Sequence, residues 1–477
     1  MDTIAAIATG NGVGGIGIVR VSGEMAFEIG EALFDGGRAF SDISANFLAH
    51  ANVVSNGAII DEAMFVKMVA PKSFTRENVL EIQCHGGRVV LGQILDAVLA
   101  RGARMAEPGE FTKRAFLNGR LDLSQAESVV DIINAKTSEG SKIALRQLEG
   151  RLSAQIGKAK NALIEIIAHL EASVDYPEYE IEELTNEKLS AGISTATEVV
   201  NDLLRGYSRG RLIREGVTVA ITGKPNVGKS SLLNRLAGRQ RAIVTEFPGT
   251  TRDIIDEYID LNGIPVRVVD TAGIRETSDE VEKIGVALAR AEVADADVVV
   301  VVLDAQTGVS SDETKMLEAI RITNKKHMIV INKIDEVAGK GEVAGELSAA
   351  LADADVFRIS LLTEHGVEEF VQALSAVVSE DGSPQAAEAA SLSADALGSA
   401  VSADASGALV TNARHKQLLD SCLRALSSAQ SAIADSTPLD CIAVDLMAAA
   451  GALSEITGDS VSEDIVNEIF SKFCIGK

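Results

Sequence analysis

The spacing of hydrophobic and polar residues changes along the chain and predicts a different structure for each part. Through the first 118 residues the apolar runs are short, and in Val79-Leu-Glu-Ile-Gln83 polar and apolar residues alternate, which predicts a strand with one polar face. From about residue 121 to 212, apolar residues recur every three or four positions with almost no Gly or Pro, which predicts long helices. Residues 411 to 470 repeat this helical spacing. We expect the two helical parts to pack together.

Strands and helices alternate between residues 217 and 380. Short β-branched runs separated by helical stretches predict a mostly parallel sheet that is covered on both faces. The runs lie at residues 266–270, 297–304, 328–332 and 356–360. Because this α/β part interrupts the helical pattern, we expect it to be a domain inserted into a discontinuous helical domain.

The predicted domain boundaries follow these changes of pattern. We expect an N-terminal α/β or β-rich domain at 1–118, helical parts at 119–214 and 411–477, and the α/β domain at 215–380. Residues 381–410 are rich in Ala and Ser, which predicts a surface insertion or a linker.

The composition is that of a soluble globular protein. Of the 477 residues, 46% are hydrophobic and 24% charged, and no apolar run approaches the ~20 residues that a membrane-spanning helix needs. The start, Met1-Asp-Thr-Ile, lacks the basic region of a signal peptide, and the four scattered cysteines are typical of reduced thiols. We therefore expect a cytoplasmic protein without a membrane span.

The net charge is −25. Binding along nucleic-acid phosphates requires many Lys and Arg, so this charge argues against a protein that coats nucleic acid. A local basic patch is compatible with it. Arg205, Arg209, Arg211 and Arg214 cluster just before the α/β part, and they form either an RNA or partner surface or a solvated helix end.

The most informative motif is Gly223-Lys-Pro-Asn-Val-Gly-Lys-Ser230, which follows an apolar run and precedes a helical pattern. Strand, Gly-rich turn and helix start, in that order and at this spacing, are typical of a phosphate-binding P-loop. Gly223 and Gly228 let the backbone turn so that N–H groups face the phosphates. Lys229 is predicted to reach the β- and γ-phosphates, and the Ser230 hydroxyl to bind Mg²⁺.

Four further elements follow in the order that a GTPase requires. Residues 249–253, Gly-Thr-Thr-Arg-Asp, offer a threonine to Mg²⁺ and the γ-phosphate, and residues 270–273, Asp-Thr-Ala-Gly, offer a carboxylate and an N–H. In Asn332-Lys-Ile-Asp335, the Asp335 carboxylate can accept hydrogen bonds from N1–H and the N2 amine of guanine, which adenine lacks. Ser360-Leu-Leu is a weaker fifth element, since Leu361 stands where Ala is usual. Together these motifs predict GTP binding.

The predicted water-activating group is unusual. Ras-like proteins place Gln directly after Asp-Thr-Ala-Gly, whereas this chain has Ile274, which cannot polarise water. Glu282, twelve residues past Asp270, can orient a water directly or through a second water. The alternative is that Glu282 is one of several exposed acids at a helix start.

Two N-terminal features resemble sites but have simpler explanations. Gly10-Asn-Gly-Val-Gly-Gly15 matches a dinucleotide fingerprint by letter, but a strand pattern follows it where the fingerprint requires a helix. We therefore expect a loop between strands and no NAD site. His85, beside two glycines, is either a ligand or base or simply hydrogen-bonded, and the second explanation is favoured.

Over nearly its whole length the chain resembles the MnmE (TrmE) family of tRNA-modification GTPases. The resemblance rests on the P-loop, on residues 249–253, 270–275 and 332–335, and on the last five residues, Phe473-Cys-Ile-Gly-Lys477. Residues 17–23, 79–83 and 116–123 match as well. It implies an α/β P-loop GTPase domain inserted in a discontinuous helical domain, preceded by an α+β N-terminal domain for folate binding and dimerisation.

The resemblance also implies a set of ligands. K⁺ is expected at Asn226, Thr245, the Phe247 carbonyl and Thr250, Mg²⁺ at Ser230 and Thr251, and catalysis at Glu282. A 5-formyl-tetrahydrofolate-type cofactor is expected at Arg20, Glu81, Arg120 and Lys477. The expected GTP contacts are Asn226, Val227, Gly228, Lys229, Ser230, Ser231, Thr245, Glu246, Phe247, Pro248, Gly249, Thr250, Thr251, Asp270, Thr271, Ala272, Gly273, Asn332, Lys333, Asp335 and Ser360.

Finally, the resemblance implies partners and a reaction. The family acts with an FAD-carrying flavoprotein, MnmG (GidA), as a homodimer within a heterotetramer, to place a carboxymethylaminomethyl-type group on C5 of the wobble uridine, position 34, of certain tRNAs. Cys474 is either reactive near the folate or a free thiol without a role. The alternative function is a regulatory or ribosome-assembly GTPase without one-carbon transfer, which has no need of Arg20, Glu81, Arg120 or the terminal Cys-Ile-Gly-Lys.

Overall fold

The computed structural model describes most of the chain, and the strands within the described residues form two sheets. The described residues are 2–10, 12–175, 186–239, 257–270, 295–307, 309–323, 325–337, 355–380, 407–435 and 437–476.

Seven strands and three α-helices make up the described N-terminal part. In chain order they are β1 (Ile4–Ile7), β2 (Gly14–Ser22), α1 (Ala26–Leu33), β3 (Phe34–Asp35), β4 (Leu48–Ser55), β5 (Ala58–Met68), β6 (Val79–Gly86), α2 (Arg88–Leu99), β7 (Arg104–Met105) and α3 (Glu110–Leu117). The sheet order is β3-β4-β5-β6-β2-β1-β7, and neighbours are antiparallel except β1 and β7. The α+β class predicted for this part is confirmed.

The two faces of this sheet differ in polarity. Because side chains alternate along a strand, Val19, Val21, Leu80 and Ile82 point to one side, where they are fully buried in a core shared with α1 and α2. Arg20 of β2 lies directly opposite Glu81 of β6, between these buried positions. The predicted strand with one polar face is therefore confirmed.

Five helices follow the first sheet. They are α4 (Leu123–Asn134), α5 (Ser138–Leu148), α6 (Arg151–Asp175), α7 (Asn186–Arg205) and α8 (Tyr207–Glu215). The N-terminus of α4 has a capping box, in which the side chains of Asp122 and Gln125 each accept from the other's backbone N–H. Gly216 adopts a φ of +85° just after α8 and turns the chain into the second sheet.

The second sheet has six strands. In chain order this part contains β8 (Val217–Thr222), α9 (Lys229–Arg239), β9 (Glu257–Leu261), β10 (Ile264–Asp270), β11 (Val298–Asp304), α10 (Ser311–Ile322), β12 (Lys326–Asn332), β13 (Asp355–Arg358) and α11 (Val367–Glu380). The sheet order is β13-β12-β11-β8-β10-β9, with all pairs parallel except β9 and β10. The four predicted runs lie on β10 to β13, whereas the sequence reading missed the edge strand β9.

Helices cover both faces of this sheet. Alternate residues of β11 belong to different cores: Val298, Val300 and Val302 pack on one side, and Val299, Val301 and Leu303 on the other. All seven residues of β11 are buried, which accounts for its unbroken apolar run.

The chain then returns to the helical part through α12 (Ala413–Ala434), α13 (Leu439–Thr457) and α14 (Glu463–Ser471). One core contains Leu163 and Leu170 of α6, Val200 of α7, Leu426 of α12 and Leu453 of α13. The two halves that flank the α/β part therefore pack together, as predicted. The exact domain boundaries stay predictions. Among the described residues, no helix has the length and apolar character that crossing a membrane requires.

Candidate functional site

The loop between β8 and α9 requires glycine at two positions. Gly223 has a φ of +146°, and a Cβ there would lie 2.2 Å from the Val302 carbonyl oxygen. Gly228 has a φ of +106°, and a Cβ there would lie 2.3 Å from Nδ2 of Asn332. Since no other residue fits these positions without displacing backbone or a buried amide, the loop holds a tight, fixed turn at the carboxyl end of the sheet.

Lys229 is the first residue of α9 and is 4% exposed. Its Nζ donates to the carbonyl oxygens of Gly223 at 2.7 Å and of Lys224 at 2.6 Å, so the ammonium lies against the loop. Ser230 and Ser231 follow in the first turn of α9 and are exposed. The helix N-terminus and the lysine supply the N–H donors that a nucleotide's phosphates require. The serine hydroxyl supplies an oxygen ligand for Mg²⁺.

Asn332, at the end of β12, connects three segments. Its Nδ2 donates to the Val227 carbonyl at 2.9 Å, and its Oδ1 accepts from the Leu361 N–H at 3.2 Å. This hydrogen bond is made by the backbone of Leu361 and does not involve its side chain. Ser360 is fully buried, and its Oγ accepts from the Thr363 N–H at 3.1 Å.

The residues after Asn332 form a short turn at the same edge. Lys333 has a φ of +66°, and Asp335 lies half-buried in the single 3₁₀ turn Ile334–Glu336. Nζ of Lys333 lies 2.6 Å from Oδ2 of Asp304, the last residue of β11. Burial opposes ionisation of Asp304, but hydrogen bonds from Lys333 and the Gln306 N–H outweigh it and lower the pKa of this carboxyl.

Two charged partners of this edge were missed by the sequence reading. Asp304 is one; its only signal is that it ends an apolar run. The other is Glu313, which is 3% exposed in the capping box of α10. Its Oε2 lies 3.2 Å from Nζ of Lys224 in the P-loop. These two pairs attach the phosphate loop and the Asn-Lys-Ile-Asp turn to neighbouring elements.

Several predicted site residues lie outside the described residues. Asp270 is described as the last residue of β10, where it pairs in register with Ile221 of β8. Asn226 is exposed, with a φ of +65°. The predicted residues outside the described ranges are Thr245, Glu246, Phe247, Pro248, Gly249, Thr250, Thr251, Thr271, Ala272, Gly273, Glu282 and Lys477.

A second candidate site lies on the N-terminal sheet. Nε and Nη2 of Arg20 each lie 2.8 Å from Oε1 of Glu81, with the two side chains 19% and 12% exposed. The guanidinium carbon of Arg20 is 5.7 Å from the centre of the Phe111 ring. The predicted residues Arg20 and Glu81 therefore form a two-contact ion pair beside an aromatic ring.

Arg120 contacts the same aromatic cluster through Phe74. Its guanidinium carbon is 4.7 Å from the centre of the Phe74 ring, and its Nη1 donates to the Phe74 carbonyl at 2.8 Å. Phe74 and Phe111 belong to one small hydrophobic cluster. Burial, and secondarily the charge of Arg76, lower the pKa of Arg120. The fold thus brings together three of the four residues predicted for the folate.

The C-terminal tail also reaches this site. Nη1 of Arg20 donates to the Gly476 carbonyl at 3.3 Å, across a separation of 456 residues. Gly476 has a φ of +91°, and a Cβ there would lie 2.4 Å from the Ile7 carbonyl oxygen. The Cys474 carbonyl accepts from the Gly109 N–H at 3.2 Å, and the Cys474 side chain is exposed. The terminal Cys-Ile-Gly is therefore held against the N-terminal domain.

The remaining candidates have local partners. Nδ1 of His85 lies 2.8 Å from Oδ1 of Asp61, as the favoured explanation predicts. Residues 14–22 form β2, so no helix follows the glycines at 10–15. In the basic cluster, Arg205 pairs with Asp202, Arg211 with Glu215 and Arg214 with Asp131. These pairs favour the helix-end explanation over an RNA surface.

Comparisons with known proteins cover the whole chain. A family model described as the GTP-binding protein TrmE N-terminus matches residues 3–120, and one described as the MnmE helical domain matches residues 123–474. The tRNA modification GTPase MnmE of Acetivibrio thermocellus is 48% identical over 100% of this chain and 99% of its own length. That of Carboxydothermus hydrogenoformans is 45% identical, with the same coverage. A crystal structure of Aquifex aeolicus Era bound to GDP and AlF₄⁻ is 30% identical, covers 33% of this chain and 56% of its own, and has a TM-score of 0.28.

Proposed function

This chain belongs to the MnmE family of tRNA modification GTPases, and on that premise we propose that it couples GTP hydrolysis to modification of C5 of the wobble uridine, position 34, of certain tRNAs. The group added is of the carboxymethylaminomethyl type, and its carbon comes from a formyl-tetrahydrofolate. A MnmG (GidA)-like flavoprotein acts with the chain and carries the FAD. The protein works in the cytoplasm, as a homodimer within a heterotetramer.

The observation that supports GTP binding and hydrolysis is the geometry of the P-loop and of the turn beside it. Gly223 and Gly228 leave no room for a Cβ, so the backbone of the loop can approach a phosphate closely. Asn332 fixes this loop to the turn that carries Asp335. Phosphate binding and guanine recognition are thereby held in one rigid frame, as a GTPase requires.

The metal positions fit the residues that are present. Ser230 places an exposed hydroxyl in the first turn of α9, where Mg²⁺ would share it with the phosphates, and Thr251 would add a second hydroxyl. Asn226 is exposed in the loop and offers an amide oxygen to K⁺, together with Thr245, Phe247 and Thr250. A bound K⁺ adds positive charge where other GTPases use an arginine finger.

The folate half rests on the site around Arg20. An Arg–Glu pair and a second arginine lie against Phe74 and Phe111, so charged donors and acceptors adjoin aromatic faces. That combination suits a flat heteroaromatic ring with an acidic tail. When bound, formyl-tetrahydrofolate would supply a one-carbon unit. Arg20, Glu81 and Arg120 would hold and orient it, and Lys477 is the fourth predicted contact.

The held C-terminal tail favours this proposal over a purely regulatory or ribosome-assembly GTPase. Such a protein has no need for the C-terminal tail to be held against Arg20 by the Gly476 carbonyl. The net charge of −25 also suits a division in which the flavoprotein makes much of the tRNA contact.

The decisive experiment measures GTP turnover in K⁺ and in Na⁺ buffers, each with and without a titration of 5-formyl-tetrahydrofolate. We expect K⁺-selective turnover together with saturable folate binding. Equal turnover in the two buffers would contradict the K⁺ site. GTP turnover without folate binding would contradict the one-carbon half and favour the regulatory function.

A further inference from the structure

Asp304 is held at both carboxylate oxygens. Its Oδ1 accepts from the Gln306 N–H at 2.9 Å, and its Oδ2 lies 2.6 Å from Nζ of Lys333. The residue is 8% exposed. It ends β11 and pairs in register with Asn332, which ends β12. A buried carboxylate with a fixed orientation therefore lies beside the turn that follows Asn332.

The backbone conformation of Lys333 has to be stabilised by contacts with neighbouring elements. Its φ of +66° is in the left-handed region, which residues with a Cβ adopt only when the surroundings impose it. Asn332, which precedes Lys333, is hydrogen-bonded to the Val227 carbonyl of the P-loop. Asp335 lies two residues after Lys333. Its side chain crosses from β12 to β11 to meet Asp304. The ion pair therefore fixes the residue between the anchored Asn332 and the turn that carries Asp335.

We propose that Asp304 is a positioning residue of the nucleotide site, which acts by holding Lys333 and thereby the turn that carries Asp335. Asp304 does not recognise the base itself. Its removal frees the Lys333 side chain and loosens the turn. Nucleotide release then accelerates, while guanine selectivity, which depends on the Asp335 carboxylate, is retained. The inference rests on the proposed nucleotide site at this edge.

A merely local role predicts something different. If the carboxylate served only to accept from the Gln306 N–H, Asn would replace it through its side-chain oxygen and nucleotide release would not change. If the Asp304–Lys333 pair competed with nucleotide, removing the carboxylate would slow release. The direction of the change therefore distinguishes the three explanations.

The test is the dissociation rate of a fluorescent GDP from the full-length protein. We expect Asp304→Asn to accelerate release about tenfold, since a hydrogen bond between charged groups of this kind is lost. Lys333→Met removes the ammonium but retains the aliphatic chain, and because Lys333 is also an expected GTP contact it should accelerate release at least as much. The double variant should be no faster than Lys333→Met alone, because the pair is already broken in that variant.

Asp297→Asn is the matched control. Asp297 immediately precedes β11, at the opposite end of this strand from Asp304. Its Oδ2 accepts a hydrogen bond from the Thr218 N–H at 2.8 Å. The GDP release rate of this variant should equal that of the wild type. The turnover number of Asp304→Asn at saturating GTP should stay near the wild-type value while KM rises, a split that partial unfolding would not produce.

Three outcomes would overturn the inference: unchanged release in Asp304→Asn, slower release, or a double variant whose effect is the product of the single effects. A wild-type protein without affinity for GDP would overturn the nucleotide site itself, and the inference with it.

Discussion

Nε2 of His415 lies 2.7 Å from Oε2 of Glu127, which precedes it by 288 positions, and the segment between them includes the entire second sheet. The Glu127 carboxylate also accepts hydrogen bonds from Nη2 of Arg414 at 3.0 Å and from Nδ2 of Asn412 at 3.1 Å. His415 is 1% exposed and Glu127 8%. This buried cluster joins α4 to the start of α12, the point where the chain re-enters the helical part after the inserted α/β part.

The charge of Glu127 should therefore stabilise the fold in a pH-dependent way. Burial alone would raise its pKa, but the charges and hydrogen bonds of His415 and Arg414 lower it to about 2 from a usual 4.5. Because the folded pKa is the lower one, the stabilisation is present above pH 4.5 and is lost as the pH falls toward 2. Glu127→Gln should reduce the free energy of unfolding at pH 7 by about 3 kcal/mol.

Urea unfolding followed by circular dichroism at pH 7, 5 and 3 checks this. The difference between wild type and Glu127→Gln should be the same at pH 7 and 5 and clearly smaller at pH 3. Glu171→Gln, at an exposed position of α6, is the control and should have little effect at any pH. A difference that does not shrink at pH 3 would show that packing, and not charge, is lost.

Gly228→Ala should abolish tight GTP binding. The added methyl would collide with the Asn332 amide at 2.3 Å, in a backbone conformation that Ala disfavours, so the P-loop has to move. We expect at least a hundredfold loss of affinity, about 3 kcal/mol, in a titration with GDP. Gly238→Ala, in α9 with open space at its Cβ, should bind normally and be slightly more stable. Retained affinity in Gly228→Ala would mean that the loop does not approach the nucleotide.

Asp335→Asn should change the preferred base. Asn offers a donor where the carboxylate accepts, so the variant should lose affinity for GTP and gain it for xanthosine triphosphate, whose ring carries a carbonyl at that position. Competition binding with the two nucleotides measures the preference. Glu336→Gln, in the same turn, should keep the wild-type preference. Undiminished selectivity for GTP in Asp335→Asn would assign guanine recognition to another residue.

Glu282→Ala should slow GTP hydrolysis with little effect on nucleotide affinity, because orienting water matters only in the transition state. General-base contributions of this type are typically 10²–10⁴-fold, so we expect a loss of about a hundredfold or more in single-turnover hydrolysis. A parallel titration with a nonhydrolysable GTP analogue checks the affinity. A large loss of affinity would instead give Glu282 a structural role.

Arg20→Lys should weaken binding of 5-formyl-tetrahydrofolate without changing GTP turnover. Lys cannot make both contacts to Glu81 and also donate to the Gly476 carbonyl, so the site loses its fixed geometry. We expect about a tenfold loss of affinity by calorimetry. Arg38→Lys, an exposed position of the same domain, is the control. Equal affinity in the two variants would place the folate elsewhere.

Much of the fold was predictable because its signals are local. The helical periodicity, the β-branched runs and the glycines at 223 and 228 each act within a few consecutive residues. The edge strand β9 was missed because its sequence, Glu-Tyr-Ile-Asp-Leu, contains two acidic residues and no apolar run of the kind found in the buried central strands. The role of the Ser360-Leu-Leu element stays a prediction, and the structure adds that the Leu361 N–H donates to Asn332.

The sequence by itself determined the GTPase motifs. A P-loop needs particular backbone freedom and particular side chains at fixed spacing, and these requirements appear as a motif of consecutive residues. Its resemblance to a family supplied the folate residues without a physical reason for them. Only the tertiary structure placed Arg20 against Glu81, Phe111 and the Gly476 carbonyl, and Asp304 against Lys333. Those contacts join residues that are not close in the sequence. Strand register and helix packing bring them together, and because both arise from the collective burial of many side chains, they leave no local pattern in the sequence.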